Sequence, residues 1–172
     1  DGCSSLTKKR RTQPSYIQYL DNVKDFLLRS IISIKSSGGS ELDKILPGHG
    51  FPHPKPYQLI KIFLETIKED DFIILDSFAG SGTTAQAVLE LNKEDGGNRK
   101  FILVELEPEI CKNTTSQRVK NVIKGYEDVS GTGGGFQYAV LDKKLFNSDG
   151  TINDECTFEE LASYLYFRET KT

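Results

Sequence analysis

The residues of this chain whose types and spacing suit chemistry are Asp76, Gly80, Gly82 and Glu105. Asp76 closes the apolar run Phe72-Ile73-Ile74-Leu75, and Ser77-Phe78-Ala79-Gly80-Ser81-Gly82-Thr83-Thr84 follows it. A glycine pair between a strand and a helix lets a ligand lie close to the backbone, above the unpaired N–H groups of the helix N-terminus. Such a turn is a nucleotide-type cofactor site, and three cofactor classes compete for it. A phosphate loop needs Lys after its last glycine to reach the β- and γ-phosphates; Thr83 stands there, which argues against that class. A nicotinamide cofactor matches the G-x-G-x-x-A spacing of Gly80 to Ala85, with Glu105 about where a ribose-binding acid belongs. Against it, an acidic residue ends the strand, Phe78 intervenes, and a proline-rich segment with a helix comes first. S-adenosylmethionine is the third candidate. Asp76 can hold its ammonium group directly or through water, Gly80 and Gly82 admit its methionine part, and Glu105 can accept from both ribose hydroxyls. Phe78, Leu106 and Ile110 then supply apolar walls for the adenine.

Each residue also has a plainer reading. Asp76 can cap the turn that follows it, and Glu105 can belong to a surface ion pair. His49 and His53 have no Cys or carboxylate at metal-ligand spacing and read as loop residues, so no metal is expected. Tyr164, Tyr166 and Phe167 read as helix core or a partner surface rather than a base-stacking platform.

The elements that must carry the turn follow from periodicity. Phe72 to Leu75 and Phe101 to Glu105 are short apolar runs ended by turn signals, which predicts two fully buried strands. Thr83 to Leu91 has helical spacing, and Pro108 opens a further helix running to about Lys124. Strand–helix–strand–helix is the unit of a parallel sheet flanked by helices, an α/β fold. Upstream, Gly50-Phe51-Pro52-His53-Pro54-Lys55-Pro56 is an extended approach. It delivers the chain to a helix with Pro56 at its first position and an apolar stripe of Leu59, Ile60, Phe63, Leu64 and Ile67. Tyr16 to Ile34 reads as a helix followed by a strand, and Glu41 to Leu46 as a short helical turn stopped by Pro47-Gly48. Gly125 to Gly135 reads as a mobile connector, Phe136 to Leu141 as a strand, and Asn147-Ser148-Asp149-Gly150 as a turn. Thr157-Phe158-Glu159-Glu160 is a capping box opening a last helix with Leu161, Tyr164 and Leu165 on one face.

Composition bounds the rest. The 172 residues suffice for one domain of ordinary composition, 37% hydrophobic and 27% charged. No apolar run approaches the ~20 residues of a membrane span, so no membrane partner is expected. Cys3, Cys111 and Cys156 are few and widely spaced, which argues against a disulfide framework or structural zinc and suggests a cytoplasmic protein. A net charge of −3 argues against a chain that grips nucleic acid over its whole surface; Lys8-Lys9-Arg10-Arg11 is the local exception. The chain begins at Asp1 and has no Met, so it is read as an internal piece of a longer protein.

Phe78-Ala79-Gly80-Ser81-Gly82-Thr83-Thr84 resembles the cofactor motif of amino-group DNA methyltransferases. Phe51 to Pro56 resembles the motif that precedes it in their permuted beta class, and Asn98 to Glu105 resembles the second cofactor strand. Gly133-Gly134-Gly135-Phe136-Gln137-Tyr138 and Thr157 to Thr170 look most like modification subunits of type III restriction–modification systems. The resemblance covers roughly residues 36 to 170. It implies a partial Rossmann-like S-adenosylmethionine-dependent methyltransferase fold and adenine N6 as the methyl acceptor. For the intact protein it implies DNA as a partner, with a restriction subunit and a homodimer as further partners. The cofactor site it implies comprises Lys55, Asp76, Phe78, Ala79, Gly80, Ser81, Gly82, Thr83 and Glu105.

It divides the chain into an N-terminal segment 1–50, a cofactor-binding core 51–126, and a linker, strand and helix over 127–172. That class transfers the methyl at an Asp-Pro-Pro-Tyr type motif, which grips the flipped base, and no Pro-Pro dipeptide occurs here. No catalytic residue is therefore assigned, and the chain is expected to be inactive alone. An interaction or dimerisation module of the same assembly is the rival reading, and a nicotinamide-binding domain a more distant one.

Overall fold

The computed structural model describes residues 31–171. They form two compact units, one ending at Gly134 and the other beginning at Gly135. Lys8 to Arg11 and most of the expected helix–strand segment at Tyr16 to Ile34 lie outside the described residues.

In the first unit, helix α1 (Gly38–Ile45) and helix α2 (Tyr57–Leu64) precede strand β1 (Ile73–Asp76). Helix α3 (Thr83–Asp95) then crosses to strand β2 (Lys100–Leu103). The strands pair in parallel, Ile73 opposite Lys100 and Asp76 opposite Leu103. Parallel neighbours need such a crossover, so β1–α3–β2 is the kernel of the expected helix-flanked parallel sheet. Gly82 at φ 78° turns the chain into α3, and Gly96 at φ 76° ends it, donating its N–H to Asn92 O at 2.8 Å. Helix α4 (Pro108–Ile110) runs through a π-helical turn, Cys111–Thr115, into helix α5 (Ser116–Lys124). The expected helix from Pro108 to about Lys124 is present, with one wide turn that periodicity did not predict.

The core lies on one side of the sheet. Leu64 of α2 meets Ala87, Val88 and Leu91 of α3, with Tyr57, Ile60, Phe72, Ile74 and Phe101 packed against them. The side chains between these project the other way: Ile73 is 63% exposed and Leu75 65%, and Ile102 and Val104 are also exposed. The expectation of fully buried strands is thus corrected. Successive strand residues face opposite sides, and among the described residues helices cover one side only. Helix α2 stops at Leu64, short of Ile67, which is exposed, as is Phe63.

Two further corrections concern the glycine-rich tail. Gly125 to Gly135, expected to be a mobile connector, contains an antiparallel hairpin, β3 (Gly125–Tyr126) with β4 (Val129–Ser130). The hairpin stays with the first unit. In the second unit Phe136 to Leu141 forms no strand, because no neighbouring strand is there to take its backbone groups among the described residues; Val140 and Leu141 are exposed. The turn after Asn147 is present, closed by Gly150 N–H to Asn147 O at 3.0 Å and by the Phe146–Ile152 bridge. Helix α6 (Phe158–Thr170) begins at the expected capping box, and Tyr164 on its face meets Phe146 edge-on at 5.6 Å.

Candidate cofactor site

The site is built at the carboxyl ends of β1 and β2, where ligands of open α/β sheets characteristically bind. Backbone bonds continue past the strands: Val104 N–H reaches Asp76 O at 2.8 Å, and Ala79 N–H reaches Val104 O at 3.0 Å. The sheet register thereby brings Asp76, Gly80 and Glu105 into one neighbourhood. Glu105 Oε2 accepts from Gly80 N–H at 2.7 Å, and its Oε1 accepts from Glu107 N–H at 3.1 Å. Asp76 Oδ1 accepts from Phe78 N–H at 3.1 Å, which is the capping role its position allows, while Oδ2 accepts from the Thr84 hydroxyl at 2.5 Å. Each of the four carboxylate oxygens takes one of these hydrogen bonds and has two lone pairs. The two carboxylates are therefore oriented by the turn and keep acceptor capacity.

The glycine turn is shaped by its own chain. Gly80 lies at φ 51°, and a Cβ there would meet the Phe51 ring at 3.3 Å. At Gly82 a Cβ would meet Thr115 O at 3.2 Å and Cγ2 at 3.3 Å. Thr115 also donates its hydroxyl to Gly80 O at 2.6 Å, so the π-helical turn is seated directly against the glycines. The side chains of Ala79, Ser81 and Thr83 are buried, whereas Phe78 is 89% exposed and Leu106 equally open. Phe78 projects outward and Gly80 is half-buried, whereas Gly82 is buried and the Ser81 and Thr83 hydroxyls face inward.

What they face is Arg118, which is fully buried. Its Nη1 donates to Ser81 Oγ and to Thr83 Oγ1, both at 2.9 Å, and more distantly to Ser81 O. Its Nε donates to Gln86 Oε1 at 2.9 Å, and its Nη2 meets Glu41 Oε1 at 3.2 Å. Burial pushes the guanidinium down to about 10, with the Glu41 carboxylate pulling the other way, so it remains charged at neutral pH. The sequence reading missed Arg118, Glu41, Gln86 and Thr115. A signal existed for one of them: Arg118 precedes the apolar Val119 on the helix stripe that also holds Val122, both buried.

Lys55 reaches the turn through its backbone, its carbonyl accepting from Thr83 Oγ1 at 3.2 Å. Lys55 is exposed and lines, with His49, Phe51, His53 and residues 37–39, a cavity of about 490 Å³ that Asp76, the glycine turn and Glu105 do not line. His49, read as a loop residue, accepts from Phe51 N–H through Nδ1 at 2.7 Å and lies 3.2 Å from Asp43 through Nε2. Among the described residues no group of three His, Cys, Asp or Glu is placed to hold a metal ion. Nor is any helix there long and apolar enough to cross a membrane.

A family described as DNA methylase matches residues 7–117, a stretch that includes the strand, the glycine turn and Glu105. The chain belongs to this DNA methylase family. Relatives bear out the resemblance to type III modification subunits. The type III restriction-modification enzyme StyLTI Mod subunit of Salmonella typhimurium is 38% identical over 87 residues, 51% of this chain and 13% of that protein. The EcoPI Mod subunit of Escherichia phage P1 is 42% identical over 77 residues, 45% of this chain and 12% of its own length. The type II methyltransferase M.KpnI of Klebsiella pneumoniae is 44% identical over 73 residues, 42% of this chain and 18% of its own length. The chain matches less than a fifth of each of these relatives. DNA methylases of this family generally use S-adenosylmethionine, and the fold the family implies is Rossmann-like, of which this chain shows a part.

Proposed function

We propose that this chain is the S-adenosylmethionine-binding part of a DNA adenine-N6 methyltransferase, of the type III modification-subunit kind. The observation that carries the reading is the convergence of two turn-oriented carboxylates, Asp76 and Glu105, at the ends of paired parallel strands. The residues suit the cofactor. Glu105 accepts from the ribose hydroxyls, Asp76 takes the ammonium group, and Phe78 with Leu106 and Ile110 offers apolar surface to the adenine. The glycine-turn backbone from Ala79 to Thr83 lines the methionine part, and Lys55 approaches it through the carbonyl that accepts from Thr83 Oγ1. When bound, S-adenosylmethionine supplies an electrophilic methyl group on a sulfonium. What this chain does is bind and orient that donor. It contains no Pro-Pro dipeptide and hence no Asp-Pro-Pro-Tyr type motif to grip a flipped base. The chain alone is therefore expected to bind cofactor without methylating DNA. DNA, a restriction subunit and a second copy are partners of the intact protein, working in the cytoplasm.

Titration calorimetry with S-adenosylmethionine and with NAD tests the reading. Heat with S-adenosylmethionine, absent with NAD, is expected. Asp76→Ala and Glu105→Ala should each weaken binding by about tenfold or more, the scale of one charge-assisted hydrogen bond. A response to NAD alone would overturn the assignment, and unchanged affinity in both variants would show that the site lies elsewhere.

The bare sheet face of Ile73, Leu75, Ile102 and Val104 favours one further reading, an interaction module of the same assembly. Sedimentation distinguishes the two: a pure interaction module associates whether or not S-adenosylmethionine is present and gives no binding heat.

A further inference from the structure

We propose that Arg118 is a positioning residue of the cofactor site, fixing the shape of the glycine turn from the buried side while touching no ligand. The inference rests on the reading that this turn holds S-adenosylmethionine. Three features support it. First, the guanidinium holds both neighbours of Gly82, bonding Ser81 Oγ and Thr83 Oγ1 from one nitrogen at 2.9 Å each. Gly82 lies in the left-handed region at φ 78°, so its two flanks set the direction in which the turn's backbone groups point.

Second, the same side chain ties the turn to two other elements. Nε holds Gln86 one helical turn further along α3, and Nη2 holds Glu41 of α1. Glu41 in turn accepts from Tyr57 N–H at 3.4 Å and from the Ser36 hydroxyl at 3.1 Å. The rigid planar fork of Arg matches this divergent set of acceptors, which the single ammonium of Lys cannot. Third, a buried charge is a poor way to gain stability, since a packed hydrophobic residue commonly does as well. Its bonds converge on the turn that presents Gly80 to Glu105, which is where a geometric role would act.

The full chain is compared with Arg118→Lys, which keeps the charge and loses the fork. Val119→Ala, a core truncation one residue along the same helix, serves as the stability control. Amide hydrogen exchange is read at Ala79, Gly80 and Gly82 against the sheet amides of Lys100 and Val104, and S-adenosylmethionine affinity is measured by calorimetry. Arg118→Lys should raise exchange at the three turn amides about tenfold relative to the sheet amides, the effect of one or two lost hydrogen bonds. It should weaken cofactor binding by a similar factor, about tenfold. Val119→Ala should raise exchange in sheet and turn alike and leave affinity within about twofold.

Should Arg118→Lys not fold, Ser81→Ala removes one acceptor and no charge, and must show the same turn-selective pattern at lower amplitude. A uniform rise in whichever of the two variants folds, matching Val119→Ala, overturns the positioning role. If the unaltered chain gives no heat with S-adenosylmethionine while the turn amides still respond selectively, the cofactor reading fails and the control of the turn by Arg118 stands. Binding that persists unchanged in the variant, with a quiet turn, refutes the positioning role alone.

Discussion

At Gly82 the missing side chain serves the protein's own packing. The space a Cβ would take is filled by Thr115, whose carbonyl oxygen and methyl lie 3.2 and 3.3 Å from it. Gly96 is a matched comparison, left-handed at a similar angle but with nothing within 4 Å of a built Cβ. Gly96→Ala should therefore cost only the left-handed strain, about 1 kcal/mol, whereas Gly82→Ala adds displacement of the π-helical turn and should cost roughly 2–4 kcal/mol. Urea denaturation of both variants checks this; equal losses would mean that Thr115 moves aside freely. The sequence made Asp76, the glycines and Glu105 legible because a strand end, a turn and a second strand end are local signals. It hid Thr115 and marked Arg118 only by its place beside an apolar stripe, because a charged or polar residue in an amphipathic helix reads as solvent-facing until the partner elements are known. Glu41, 77 residues away in the chain from Arg118, left no local trace at all.

At the scale of elements, helix α6 depends on its first turn. Thr157 Oγ1 accepts from Glu160 N–H at 3.3 Å, and Glu160 Oε2 accepts from Thr157 N–H at 2.7 Å and meets Lys143 Nζ at 3.1 Å. The Thr157 amide, with the Lys143 ammonium next, holds the Glu160 carboxyl below its ordinary value. A carboxyl with a lower value folded than unfolded contributes stability above the unfolded value, about 4.3, and loses it as pH falls through the folded value. Amide shifts of Phe158 to Leu161, followed by NMR during acidification, should report fraying in that window, and Glu160→Gln should flatten the transition. No change between the two proteins would show that ionisation of Glu160 contributes nothing to the helix start. The capping box was readable because both partners sit within one turn. The π-helical turn was not, since its wide spacing is stabilised by a contact to Gly80, 35 residues away. The supposed strand at Phe136 to Leu141 failed for the complementary reason: alternation specifies a face, and only a neighbour makes a strand.

For the whole molecule, α3 and α2 on one side of a two-stranded parallel sheet leave Ile73, Leu75, Ile102 and Val104 in water. Sequence reading recovered the parallel helix-flanked order and missed this one-sidedness, because four apolar residues in a row look the same whether one side or both are covered. The exposed side has a thermal signature. Heat capacity on unfolding measures apolar surface newly hydrated, about 12–15 cal/mol/K per residue in ordinary domains. Side chains hydrated before unfolding add nothing to it. Scanning calorimetry of the chain should thus give a heat-capacity increment below that range and a shallow stability curve. A value within the range would mean that the face is shielded in solution. Such a protein would vary little in stability between cold and warm conditions, holding nearly the same margin where a two-sided sheet of equal size would gain or lose it.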